Sequence, residues 1–244
     1  MMKQSISAEL LKLRHSRIGL VLIVLPSISL MIGCANFYLN QGILENGWYS
    51  LWNQICIFYG EFFLPILIAI CCSFVCRMEH LNRNWNMILT SPVSIASVFF
   101  AKLLVVSILI LFTQAFFLGL YWLAGTLFSL PGHFPVETIG WSVRGWYATL
   151  SISALQLAIS LRIRSFATPI GICLCAVFIG LGMYTANLGI FFPFSLLTIG
   201  MSALNQDQLT DIQNILFWVA NLFFIIIFTS ISIRRLKKKD IVSS

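Results

Sequence analysis

The chain has 244 residues, of which 59% are hydrophobic and only 9% are charged, and its mean hydropathy is +0.93. Soluble domains carry about a quarter charged residues, so this composition excludes an ordinary soluble globule and is typical of a chain that folds in lipid. The net charge of +7 does not predict nucleic-acid binding, because the cations lie between apolar segments in the pattern of a membrane topology signal.

The first predicted element is a short amphipathic helix over residues 3–17. Ile6, Leu10 and Leu13 recur at helical spacing, and basic residues occupy the other faces. A basic amphipathic helix of this kind lies in the plane of the membrane interface. We therefore expect an interfacial helix that leads into the first membrane span.

Six apolar segments of membrane length follow. They cover residues 18–39, 54–76, 98–124, 143–161, 166–185 and 215–233. A helix needs about 20 residues to cross the hydrocarbon core, and the segments lack the alternation of a membrane β-barrel strand. The sequence therefore predicts one all-α integral membrane domain over residues 1–244, with six transmembrane helices.

The placement of Lys and Arg predicts the orientation of these helices. With six spans, every Lys and Arg except Arg144 falls on one side of the membrane. Cytoplasmic loops carry the excess of Lys and Arg in membrane proteins. We therefore expect a multi-pass membrane protein with both termini in the cytosol.

Glu61 is the only acid within an apolar span. Ionisable residues inside a membrane usually face a cavity or a partner, so one interpretation is a carboxylate of the substrate pathway that contacts a cationic substrate or relays a proton. The alternative is that Glu61 lies near the outer interface, eight residues into its span, and reaches water or pairs with Arg144. Both interpretations stay open at the level of sequence.

No catalytic, metal or nucleotide motif is visible. The seven cysteines lie in or beside apolar segments, and the three histidines are not at metal-ligand spacing. The phosphate-binding loop G-x-x-x-x-G-K-[ST] is missing from the sequence. The chain is therefore not expected to be an enzyme by itself or to bind a cofactor, and ATP, if used, would be bound by another chain.

A polar, aromatic segment separates the second and third spans. Glu79, Asn82 and Trp85 would lie on a short interfacial helix in the cytosol, which Pro92 would end. Such a helix is suited to contact a cytosolic ATPase and to transmit its motion to the spans. The alternative is a solvated loop.

Three stretches resemble a known family. They are residues 8–16 (AELLKLRHS), residues 79–94 (EHLNRNWNMILTSPVS) and residues 101–104 (AKLL). Their order and spacing are similar to those of ABC-2 type permeases, particularly the small permeases of lantibiotic immunity and bacitracin resistance. This resemblance covers the whole chain when the six spans are included.

The resemblance implies a permease that pairs with itself or with a sister permease and works with two cytosolic ABC ATPase subunits, which bind ATP and Mg. Glu79, Asn82, Trp85 and Pro92 would belong to the ATPase-coupling segment. The cargo would be a membrane-active peptide antibiotic, taken from membrane lipid and released outside. Two alternatives stay open: export of a lipid or small hydrophobic drug, and a membrane sensor or assembly protein that does not transport.

Overall fold

A computed structural model describes residues 2–14, 16–81, 94–205 and 209–238. Within these ranges the chain is helical and contains no β-strand, as the sequence predicts. The helices are α1 (Met2–Arg14), α2 (Ile18–Leu39), α3 (Gly47–Phe58), α4 (Leu64–Leu81), α5 (Ile95–Leu127), α6 (Glu137–Ser160), α7 (Ala167–Thr185), α8 (Pro193–Gly200) and α9 (Asp211–Lys238).

Helices α3 and α4 form one long path through a π-helical turn at Tyr59–Phe63. The second apolar helix therefore starts at Gly47, ahead of the predicted membrane span of residues 54–76, and the bounds of that span stay a prediction. The extra turns are helical because Trp48, Leu51 and Trp52 are buried in the core, where their large side chains pack against α5 and α6.

Five helices are long and apolar enough to cross a membrane: Ile18–Leu39, Gly47–Arg77, Ile95–Leu127, Ala167–Thr185 and Asp211–Leu236. These confirm a membrane-embedded, multi-pass protein. The predicted fourth span lies in α6, which is not one of the five because its residues are more polar. The count of six spans therefore stays a prediction.

Helix α6 is the central helix of the bundle and packs against α4, α5, α8 and α9. Its buried residues are mostly small and include Gly145, Ala148, Ser151 and Ser153. Small residues allow helix backbones to approach closely in membrane proteins. The lower hydropathy of α6 follows from this position, since its side chains face other helices.

The helix contacts define two ends of the bundle. At one end, which we call the α1 end, α1 packs against α5, and Arg77 lies over the Phe166 ring at 5.5 Å. At the opposite end the Tyr121 hydroxyl donates to the Trp48 carbonyl oxygen at 2.8 Å. Helix α9 runs beside α6 in the same direction, so it ends toward the α1 end.

The predicted N-terminal helix is present as α1, and its interfacial position stays a prediction. Most of the predicted coupling helix, in contrast, cannot be compared with the structure. Asn82, Trp85 and Pro92 lie outside the described residues. The expectation of a cytosolic helix between the second and third spans is therefore not tested.

Candidate functional site

Four charged side chains meet at the α1 end of the bundle. Glu9 and Lys12 come from α1, Glu79 from the end of α4 and Lys102 from the start of α5. We call these four residues the ion cluster. Each of the three stretches that carry the family resemblance contributes to it: the first gives Glu9 and Lys12, the second gives Glu79 and the third gives Lys102.

Lys102 is the central cation of the ion cluster. Its Nζ atom donates to Glu9 Oε1 at 3.0 Å and to Glu79 Oε1 at 3.2 Å. The third donor position contacts the Val75 carbonyl oxygen at 3.2 Å. An ammonium group has three donors, so all three are satisfied although the side chain is buried.

Lys12 completes the ion cluster from its outer side. Its Nζ atom donates to Glu9 Oε1 at 2.9 Å and also to Glu79 Oε1. The Lys12 side chain is 30% exposed, whereas the Glu79 side chain is fully buried. Two lysines therefore balance two carboxylates, which offsets the cost of removing these charges from water.

The ion cluster changes the proton affinity of its members. Burial by itself would raise the pKa of Glu79, but the charge of Lys102 and the hydrogen bond from Lys12 hold that pKa below its ordinary value. Burial by itself would lower the pKa of Lys12, but the hydrogen bond to Glu79 and the charge of Glu9 raise it. Both groups are therefore charged near neutral pH.

The spacing of the four residues follows from helix geometry. Glu9 and Lys12 are three residues apart, so they share one face of α1. Lys102 lies two turns into α5, a helix whose first free N–H groups are capped in part by the Ser94 hydroxyl, which accepts from the Ser97 N–H at 3.2 Å. Helix α1 is thereby joined to both α4 and α5.

In the structure, the Glu79 carboxylate contacts residues of its own chain. Its carboxylate is bound by two lysines, and its role as an ATPase contact stays a prediction. Sequence reasoning missed Glu9, Lys12 and Lys102 as its partners, and treated the lysines as topology signals. The available sign was the charged residues within the apolar, family-like motifs: Glu9 and Lys12 in ELLK, and Lys102 in AKLL.

Glu61 lies in a different environment, inside the π-helical turn. It is 5% exposed, and the Thr198 hydroxyl of α8 donates to its Oε2 atom at 3.0 Å. Within the described part of the chain, the Oε1 atom is buried and has no hydrogen-bond partner. π-Helical turns are rare and frequently occur at functional sites.

The position of Glu61 along its helix is now defined, and its depth in the membrane stays a prediction. Because its helix begins at Gly47, Glu61 lies near the middle of the 31-residue apolar helix that ends at Arg77. A carboxylate at the centre of a membrane costs on the order of 2.5–3.5 kcal/mol. Arg144 lies within the described residues and makes no ion contact with Glu61.

Arg144 has another partner. Its guanidinium donates to the Ser202 hydroxyl at 3.4 Å, just after α8. Among the residues that the structure describes, no three or more His, Cys, Asp or Glu side chains come together in a way that could hold a metal ion. The structure thus contains two sites of different kinds: the ion cluster, in which lysines balance the carboxylates, and Glu61, a buried carboxylate without a cation beside it among the described residues.

The apolar helices, packed around the more polar helix α6, are those of a multi-pass membrane protein. Residues 5–180 match the model of a family described as ABC-2 family transporter protein, and this range contains the ion cluster and Glu61. The chain belongs to the ABC-2 transporter family, and its role is that of a permease in membrane transport, in association with ATPase subunits. The search of curated proteins gives no match.

Proposed function

We propose that the chain is the permease subunit of an ATP-driven exporter that removes a membrane-active peptide antibiotic of the lantibiotic or bacitracin kind, giving immunity or resistance. The permease crosses the bacterial cytoplasmic membrane six times, as one domain with both termini in the cytosol. It pairs with an identical or sister permease and with two ABC ATPase subunits. Those subunits hold ATP and Mg, and the permease itself is neither an enzyme nor a cofactor carrier.

The observation that carries this proposal is the convergence of the three family-like stretches in one ion cluster. Residues far apart in the sequence, Glu9, Glu79 and Lys102, lie within hydrogen-bond distance. A buried, compensated ion cluster fixes α1 against two membrane helices. An ATPase movement applied at this end of the bundle is therefore transmitted to α4 and α5 together.

The coupling mechanism follows from this joint. The segment with Asn82, Trp85 and Pro92 rests on the ATPase, and Glu79 at the end of α4 holds the neighbouring helix in the ion cluster. ATP-driven closure of the ATPase pair pulls on this segment. The ion cluster keeps α1, α4 and α5 in register while the pathway opens to the outside.

The proposal is tested first by its partners. Purification from the native membrane in mild detergent is expected to retain an ABC ATPase in stoichiometric amount, and a second permease if the pair is hetero-dimeric. Recovery of the chain alone, or with a sensor kinase only, would contradict the transporter proposal. It would favour the sensor or assembly alternative.

The cargo is tested by resistance and by transport. A sensitive bacterium that expresses the permease with its ATPase is expected to tolerate higher concentrations of lantibiotic or bacitracin. Trp85→Ala is expected to uncouple ATP hydrolysis from this protection while membrane insertion stays normal, and Glu45→Gln, in an exposed loop, serves as the control. Unchanged susceptibility, with export of a labelled lipid or hydrophobic dye from vesicles, would identify the other transport alternative.

A further inference from the structure

We propose that Glu61 is a binding site for a cationic group, an ammonium or guanidinium, of the transported amphipath, and that α8 covers this site between transport events. The inference rests on the export function proposed above. It adds the chemical class of the cargo group and the element that controls access to it.

The first argument is the unused hydrogen-bonding capacity of Glu61. A carboxylate accepts hydrogen bonds at both oxygens. In the described part of the chain, Oε2 has the Thr198 hydroxyl as donor and Oε1, although buried, has none. Other buried atoms in the described part of the chain, including Glu79 Oε2, also lack a partner. Oε1 differs because its carboxylate has no cation beside it, so a donor from outside the described residues fits it.

The second argument is that the Thr198 contact does not require a charge. A Gln side chain has nearly the same shape and would offer its amide oxygen to the same hydroxyl. A carboxylate costs more than an amide in an apolar interior. The Glu61 carboxyl therefore offers what an amide lacks, which is the ability to ionise when a cation comes beside it.

The third argument is the absence of a resident cation at this depth. The lysines of the ion cluster lie at the α1 end of the bundle. Arg144 contacts Ser202 and makes no ion contact with Glu61, so no cation among the described residues neutralises this carboxylate. A positively charged group from outside the chain fits the site, because it supplies both the missing charge and the missing donor.

The fourth argument concerns access. Helix α8 has only eight residues, Pro193–Gly200, with extended backbone at Phe192 before it. Ser202 follows with a φ of 47°, a left-handed conformation typical of a turn. Helix α8 is buried in this state. The proposal requires it to shift as a unit between these two backbone changes, because separation of Thr198 from Glu61 would uncover the carboxylate.

The structure also shows what else covers the π-helical turn. A Cβ atom built at Gly60 would lie 3.4 Å from Met201 Sδ and 3.6 Å from Ala203 Cβ. The residues directly after α8 therefore rest on the same turn that carries Glu61. Outward movement of α8 carries this cover away together with Thr198.

The test uses the permease–ATPase complex in lipid vesicles. The probes are a synthetic amphipathic peptide with several lysines and the same peptide with its lysines acetylated, and the measurement is the peptide concentration that gives half-maximal ATPase stimulation. Since a charge-assisted bond stabilises by about 1.5–3 kcal/mol, the cationic peptide is expected to act at a concentration roughly tenfold lower or more. Glu61→Gln is expected to abolish this preference, and the exposed-loop variant Glu45→Gln is expected to keep it.

A second variant tests the cover. Thr198→Val removes the donor that holds α8 on Glu61, so the cationic peptide is expected to act at a lower concentration than on the wild type. A structural role for Thr198 alone would affect both peptides equally. Retention of the preference in Glu61→Gln, or its absence in the wild type, would overturn the inference.

A measurement on the wild type does not depend on the folding of any variant. Dicyclohexylcarbodiimide, a carboxyl reagent soluble in lipid, is expected to label Glu61, and the cationic peptide is expected to protect it while the acetylated peptide does not. Equal protection, or no labelling at Glu61, would contradict the inference. If neither peptide is exported or stimulates the wild-type ATPase, the proposed export function fails; equal action of both peptides rejects only the role of Glu61.

Discussion

Glu79 and Glu61 lie on the same helical path, α3 to α4, and both are buried, but their surroundings differ in charge. Glu79 is bound by two lysines from two other helices. Glu61 receives one hydroxyl hydrogen bond and, among the described residues, no cation. The comparison teaches that a buried carboxylate joins helices when its charge is compensated within the chain, and is available for a ligand when it is not.

The two carboxylates also differ in what they connect. Glu79 ties the end of α4 to α1 and α5, where an ATPase force would be received. Glu61 contacts Thr198 of α8, a short buried helix, from the middle of the same path. The helical path thus links the ion cluster at one end to the covered carboxylate in the middle of the path, as the proposed export mechanism requires.

The largest expected effect is that of Lys102→Met. Removal of one partner of a buried ion pair leaves an uncompensated charge, and this costs about 3–5 kcal/mol of the free energy of unfolding. We expect thermal unfolding in detergent to shift accordingly. Lys12→Met is the matched control and is expected to have a smaller effect, because Lys12 is 30% exposed and water screens its charge.

The double variant Glu79→Gln with Lys102→Met sharpens this result. It removes one negative and one positive charge together, so part of the lost stability is expected to return. Equal destabilisation by the two lysine variants, or an additive double variant, would show that the ion cluster is not a cooperative joint.

A smaller effect, of opposite sign, is expected for Glu61→Gln. The amide still accepts from Thr198 and avoids the cost of a buried charge, so the melting temperature is expected to stay equal or rise slightly. Glu79→Gln is expected to lower it, because the lysines lose a negative charge. A marked loss of stability in Glu61→Gln would mean that Glu61 is a structural joint after all, and the comparison would fail.

The smallest expected effect is the pH dependence of the ion cluster. The pKa of Glu79 is lowered from its ordinary 4.5, so its stabilising contribution is present above that value and is lost as pH falls through the lowered pKa. The pKa of Lys12 is raised from 10.5, so its contribution is present below that value and is lost as pH rises through the raised pKa. Between these limits the contribution is constant.

The measurement is the melting temperature of wild type and Glu79→Gln at a series of pH values. The difference between the two proteins is expected to be constant near neutral pH and to shrink in acid below 4.5. A difference that grew on acidification would contradict the assigned direction of the Glu79 pKa.

The sequence by itself determined where most of the helices lie. The predicted segments 18–39 and 166–185 agree closely with Ile18–Leu39 and Ala167–Thr185, because membrane length and apolar composition are local properties of a segment. The family was also visible, since its motifs are short and contiguous. The second apolar helix begins at Gly47, ahead of the predicted span, and its aromatic residues Trp48 and Trp52 are buried by other helices, which apolar length alone does not predict.

Only the tertiary structure decided which charges meet. Glu9 and Lys102 are 93 residues apart in sequence, and their contact depends on the relative placement of α1, α4 and α5. The isolation of Glu61 is decided in the same way, by the π-helical turn, by Thr198 from a distant short helix and by the position of Arg144. The hydropathy of a segment depends only on its own residues, so the sequence predicts it. Whether a buried charge is balanced depends on which residues lie beside it in the folded protein.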